Sequence, residues 1–289
     1  MLNQFEVIQT YWLNDPEFTE GLYYDNQNNR IIESTGLEGE SEIRTYRFDN
    51  DDGEIVDIQT LFLDNSTLFG EGTTRFDDQY YQLSYHNGII TIFHEENIGT
   101  ENDTLIIDRI AAQPRDENCT LHEGWGLTAS DDFLYMSDGS NRIYRFTPDD
   151  LQDFTPDYLS LEFEDECPEE YTFPSYFEIN DTETGEPIYN INELEMVGNY
   201  IFANIWLTNT IIKIHVYEDR MEFVRSYDFT ILREITCDRI AQMSGNNNCD
   251  SQIDVLNGIA YDSNHNEFIL TGKEWPLVFR ITISDNTFI

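Results

Sequence analysis

Trp125-Gly-Leu-Thr-Ala-Ser-Asp-Asp-Phe-Leu-Tyr-Met-Ser-Asp-Gly-Ser-Asn-Arg-Ile-Tyr-Arg-Phe146 holds the fold in miniature. A short opening motif enters an apolar run. Asp131 and Asp132 turn the chain, and Phe133 to Ser137 run back. Asp138-Gly-Ser-Asn turns it again, and Arg142 to Phe146 alternate. Alternation and β-branching argue strand, and Asp/Asn/Gly clusters argue tight hairpins. The pattern recurs at Glu20-Gly-Leu-Tyr-Tyr-Asp, Glu71-Gly-Thr-Thr-Arg-Phe-Asp, Glu193-Leu-Glu-Met-Val-Gly and Asn257-Gly-Ile-Ala-Tyr-Asp. In chain order the five starts are 51, 54, 68 and 64 residues apart. A second run follows each, such as Arg30-Ile-Ile-Glu-Ser-Thr-Gly and Tyr200-Ile-Phe-Ala-Asn-Ile-Trp, and a third follows most, such as Thr210-Ile-Ile-Lys-Ile-His-Val. Units of this length with three or four strands each predict an all-β, five-bladed β-propeller, one domain over 1–289. A β-sandwich is the alternative. No long helical periodicity stands out, so the connections 149–190, rich in proline, and 232–254 are expected to be loop.

The chain carries 57 Asp and Glu against 15 Lys and Arg, a net charge of −42. Phosphate backbones need a cationic face, so nucleic acid is excluded as a partner. Anionic membrane surfaces are disfavoured in the same way, and no apolar run is long enough to span a bilayer. The acids are dispersed, which reads as a solubilising surface; a high-salt habitat or a cationic partner are the alternatives.

Cys119, Cys167, Cys237 and Cys249 lack zinc-ligand spacing. Their even number predicts two disulfides, Cys119–Cys167 and Cys237–Cys249. Sequons begin at Asn65, Asn102, Asn118 and Asn180, weak support for secretion. Met1-Leu-Asn-Gln-Phe is not a signal peptide, so a mature, exported form is the expectation.

In a propeller the first strand of each blade lines the central channel and the second runs antiparallel beside it. Starts of first strands and ends of second strands therefore ring one opening. The starts bring Phe18, Glu20, Phe69, Glu71, Trp125, Asn192, Glu193 and Asn257. The ends bring Glu33, Tyr85, Asp138, Asn204, Trp206 and Lys273, one of only two lysines in the chain. Aromatic walls with a few convergent polar groups are the usual form of a binding site.

At this point the chain resembles the plant and bacterial type of glutaminyl-peptide cyclotransferase. The motifs are Asp15-Pro-Glu-Phe-Thr-Glu-Gly-Leu, Glu33-Ser-Thr-Gly-Leu-Glu-Gly-Glu-Ser, Phe69-Gly-Glu-Gly-Thr-Thr, Gly124-Trp-Gly-Leu-Thr, Ser137-Asp-Gly-Ser, Asn192-Glu-Leu-Glu, Ala203-Asn-Ile-Trp, Leu256-Asn-Gly-Ile-Ala-Tyr-Asp and Thr271-Gly-Lys-Glu-Trp-Pro. They occur in the family's order, from about residue 5 to residue 282. The resemblance implies that Glu71 is the essential carboxylate. It makes Phe18, Phe69, Trp125 and Trp206 site aromatics, and Asn192 and Lys273 the site amide and amine. Two positions depart: the family usually has Gln at Glu20 and Trp at Tyr85. Glu20 puts a second carboxylate close to Glu71, and like charges in one site raise at least one pKa. The activity, its pH optimum or the preferred substrate would then differ.

The reaction the resemblance implies is lactam formation by an N-terminal glutamine, with loss of ammonia. Glu71 would shuttle the proton. Lys273 and Asn192 would stabilise the oxyanion. Phe18, Glu20, Phe69, Tyr85, Trp125 and Trp206 would hold the folded side chain. This chemistry asks for no cofactor. The five histidines are scattered, and Asp49-Asn-Asp-Asp-Gly-Glu reads as a turn rather than a calcium loop. The resemblance leaves room for a structural Ca²⁺ in the channel, with no ligands named. Expected partners are peptides or proteins with N-terminal glutamine, and the expected state is a monomer. The competing readings are a non-catalytic propeller that binds peptide N-termini and a related hydrolase or lactonase.

Overall fold

A computed structural model describes residues 5–49, 53–62, 68–86, 88–94, 109–113, 123–151, 174–244 and 249–284. The strands in chain order are β1 (Phe5–Trp12), β2 (Thr19–Asp25), β3 (Arg30–Thr35), β4 (Glu42–Asp49), β5 (Glu54–Phe62), β6 (Gly70–Phe76), β7 (Gln79–Ser84), β8 (Ile89–His94), β9 (Arg109–Ala112) and β10 (Leu127–Ala129). They continue as β11 (Leu134–Ser137), β12 (Arg142–Phe146), β13 (Ser175–Glu178), β14 (Ile191–Val197), β15 (Tyr200–Ile205), β16 (Thr210–Val216), β17 (Met221–Asp228), β18 (Leu256–Asp262), β19 (Glu267–Gly272) and β20 (Leu277–Ile283). Among the described residues one α-helix, α1 (Thr230–Ser244), interrupts this nearly all-β order.

Three sheets have four strands each, β6 to β9, β10 to β13 and β14 to β17, all in sequence order and antiparallel. The fourth sheet has eight strands, ordered β18-β19-β20-β1-β5-β4-β3-β2. Its two antiparallel halves meet at one parallel pairing, Trp12 with Glu54. The N-terminal strand β1 thus completes the group begun by β18 to β20.

The first strands β2, β6, β10, β14 and β18 pack beside one another in a closed order, β18 returning to β2. Glycines permit that approach. A Cβ at Gly72 would lie 2.4 Å from the Leu127 nitrogen, and one at Gly126 would lie 2.1 Å from the Asn192 carbonyl oxygen. Such contacts leave no room for a side chain. The apolar core lies between the sheets. Phe202, Phe268, Trp275 and Phe279 form one cluster, and Tyr81, Leu134 and Tyr144 belong to another. Hairpins reuse one device: Asp25 and Asp262 each accept two following backbone N–H groups, and Asn29 and Asn266 take the left-handed conformation.

The helix corrects the expectation of a loop across 232–254. Asp228 accepts the Thr230 N–H just ahead of it, and Leu232, Thr236 and Ile240 are buried at a spacing of four. Leu232 and Ile240 join the cluster around Phe229 and Trp275. Strand β13, and a bridge from Asn180 to Pro187, likewise put regular structure inside 149–190. Cys237 and Cys249 form a disulfide, twelve residues apart. Cys119 and Cys167 lie outside the described residues. Replacing Cys237 by Ser is expected to cost about 2–3 kcal/mol, from the released loop-closure restraint. A urea midpoint lowered at unchanged slope is the readout; an unmoved midpoint would mean the helix end is held by packing alone.

Candidate active site

Four of the five first strands carry a register break at the same place. Pairing is interrupted between Thr19 and Gly21, between Gly70 and Thr73, between Ile191 and Leu194, and between Leu256 and Ile259. The residues inside the breaks are Glu20, Glu71-Gly72, Asn192-Glu193 and Asn257-Gly258. Bulges re-aim side chains that regular pleating would point elsewhere. Four of the five opening motifs read from the sequence are therefore bulges.

Glu20 and Glu71 are buried, 2% and 5% exposed, and lie within hydrogen-bonding reach of one another. The Lys273 Nζ donates to Glu20 Oε1 at 2.6 Å and sits 4.5 Å from the Phe18 ring centroid. An ammonium has three donors, so this pairing leaves capacity for a ligand. The Asn257 amide donates to Glu20 Oε2 at 3.3 Å and to the Thr19 carbonyl at 3.0 Å. Burial pushes the Glu20 carboxyl up to about 7, against the pull of Lys273. Burial and then the Glu20 charge hold the Glu71 carboxyl well above the carboxylate range. Both carboxyls of this coupled pair are therefore held above the ordinary carboxylate range, with Glu20 facing the ammonium.

Aromatic rings flank these carboxyls. Phe69 meets Phe18 edge-on at 6.3 Å and Tyr85 at 5.5 Å between centroids. Trp125 and Trp206 meet edge-on at 5.4 Å. All five are partly exposed. Glu123, which the sequence did not single out, accepts the Trp125 indole N–H at 3.1 Å and bonds Tyr85, whose hydroxyl is raised by burial and then by Glu123. Its only sequence signal is its place two residues before Trp125. Asn192 is buried, and its Oδ1 has no hydrogen-bond partner. Ser137 fixes its backbone: the hydroxyl donates to the Asn192 carbonyl at 2.6 Å and accepts the Gly126 N–H at 2.8 Å.

Other residues expected at the ring opening serve the scaffold. Glu193 stands where the other four repeats have glycine, fully buried, and accepts the Ile259 and Leu22 N–H groups, tying β14 to β18 and β2. Asn204 accepts the Gly258 N–H. Asp138 caps its own turn through Ser140. Glu33 accepts the Thr19 hydroxyl and faces Arg44. Glu193 gives both oxygens to the backbone, and among the described residues there is no group of three acidic, His or Cys side chains that could bind a metal. A cavity of about 1100 Å³, lined by Tyr23, Thr128 and Glu195, opens at the far ends of the same strands and holds none of the residues above.

The sequence matches the family described as glutamine cyclotransferase over residues 2–156 and 160–283, nearly the whole chain. The chain belongs to the glutamine cyclotransferase family. Within the family it is similar to the glutaminyl-peptide cyclotransferase of Arabidopsis thaliana, 26% identical over 285 residues that span 98% of this chain and 72% of that one. Its fold is similar to that of Myxococcus xanthus glutaminyl cyclase in a crystal structure, with a TM-score of 0.68, 22% identity and 97% of each chain covered. Of the positions that the resemblance names, Glu71, Lys273, Phe18 and Phe69 are linked through Glu20 and one another, and Trp125 and Trp206 pair with each other.

Proposed function

We propose that this chain is a five-bladed β-propeller, one domain over 1–289, that converts N-terminal glutamine of peptides to pyroglutamate and releases ammonia. The observation that carries the reading is a buried, bulge-borne Glu71 beside Lys273-bound Glu20, among aromatics, in a glutamine cyclotransferase. The α-amine attacks the side-chain carbonyl carbon, and the new C–N bond forms as the amine proton passes to Glu71. The free Lys273 donors and the Asn192 amide meet the oxyanion. On collapse the C–NH₂ bond breaks, Glu71 returns the proton to the leaving nitrogen, and ammonia departs. Phe18, Phe69, Tyr85, Trp125 and Trp206 hold the side chain curled, because an extended glutamine cannot reach its own amine. The chemistry draws on these side chains alone, with no cofactor.

The Cys237–Cys249 disulfide supports work in an oxidising, extracytoplasmic compartment. Among the described residues no helix is long and apolar enough to cross a membrane. The net charge of −42 favours a monomer that attracts cationic peptide N-termini.

Mass spectrometry of short peptides tests the reading. A Gln-initiated peptide is expected to lose ammonia, and an Asn-initiated one, whose product would be a strained four-membered lactam, is expected to persist. Tight binding of the Gln peptide with no change in mass would establish a peptide-binding propeller instead.

A further inference from the structure

Glu20 is a buried carboxyl in the register break of β2, held by two donors. One carboxylate oxygen takes the Lys273 ammonium at 2.6 Å, the other takes the Asn257 amide at 3.3 Å, and Glu71 lies within hydrogen-bonding reach. The side chain cannot swing away. Gly36 packs against both the Glu20 stem and the Phe69 ring, so that a Cβ there would lie 3.0 Å and 2.6 Å from them. A carboxylate so fixed is a standing acceptor for a proton on Glu71.

Resting on the cyclase reading, we propose that Glu20 is a positioning residue: it holds one proton between itself and Glu71, and thereby withholds the base function of Glu71 at acid and neutral pH. The cycle stays balanced. Turnover runs through the form from which the shared proton has left: Glu71 then takes the proton of the substrate amine and hands it to the leaving nitrogen. The ionisable groups facing the pair are Lys273 and Asp254 beside β18 and β19, Glu123 and Tyr85 at the aromatic wall, and Glu193 on β14. Of these only Lys273 is cationic, and it lies on the Glu20 side. Burial and then the Glu20 charge favour proton retention by Glu71, against the weaker pull of Lys273.

Glu20→Gln tests this. The amide keeps an acceptor for Lys273 and offers Glu71 a donor in place of a charge. Removing the like charge favours ionised Glu71, so the acid limb of the kcat–pH profile is expected to move down by about one pH unit or more. A limb that stays in place, in a variant with wild-type melting temperature, would overturn the proposal. Infrared difference spectra of the intact protein against Glu71→Gln give a reading that does not depend on the Glu20 variant folding. The protonated-carboxyl band of Glu71 should persist to neutral pH, and its loss in the ordinary carboxylate range would also overturn the proposal. Failure of the cyclase reading looks different: wild-type protein would release no ammonia at any pH.

Discussion

Glu71→Gln is expected to lower turnover by about 10²–10⁴-fold with the fold intact. Gln has the size and polarity of the side chain it replaces, and it can hydrogen-bond Glu20, so packing on the bulge between Gly70 and Thr73 survives. What it cannot do is take a proton from the amine and hand one to the leaving nitrogen. Both transfers fall on the same atom pair, so neither half of the reaction proceeds. Substrate affinity should change little, because the aromatic walls are untouched. A variant that keeps wild-type kcat would remove Glu71 from the chemistry. One that loses affinity and turnover together would make it a binding group.

Lys273→Met is expected to cost about 10²–10³-fold, mainly in kcat. The methionine preserves much of the stem that lies over Phe18 but supplies no donor to the oxyanion. It also leaves Glu20 without the cation that stabilises its charge in a site where burial already opposes ionisation. The two carboxyls then bind protons more tightly, so the acid limb of activity should move up, opposite to its shift in Glu20→Gln. Equal and opposite movement is not required, but the same direction in both variants would contradict the arrangement of one ammonium and two carboxyls.

Much of this was legible in the sequence, for a physical reason. Repeats that each contribute a strand to a ring place equivalent positions on one opening. The opening motifs that carry Glu20, Glu71 and Asn192 could therefore be read as equivalent positions although they are scattered along the chain. The Asp…Asn hairpins at Asp25–Asn29 and Asp262–Asn266 also announce themselves, because a short side chain and a left-handed asparagine do the turning locally.

What stayed hidden depends on partners from other strands. Phe5 to Trp12 carries no repeat motif, and only its pairing with β20 reveals that it completes the last group of strands. Glu193 reads as a site carboxylate until the backbone N–H groups of Leu22 and Ile259 are seen to consume it. Glu33 is diverted in the same way by Thr19 and Arg44. The helix α1 has a signal that went unused, the spacing of Leu232, Thr236 and Ile240. Arg233, Glu234, Asp238 and Arg239 between them mask it as polar loop.

The most direct test of the central claim is ammonia release from a short Gln-initiated peptide, followed across pH, with Glu71→Gln in parallel. Ammonia and pyroglutamyl peptide formed in equal amounts by the wild-type protein, and not by the folded variant, are the expected result. No ammonia from folded wild-type protein at any pH, in low or high salt, or equal release by the Glu71 variant, would contradict it.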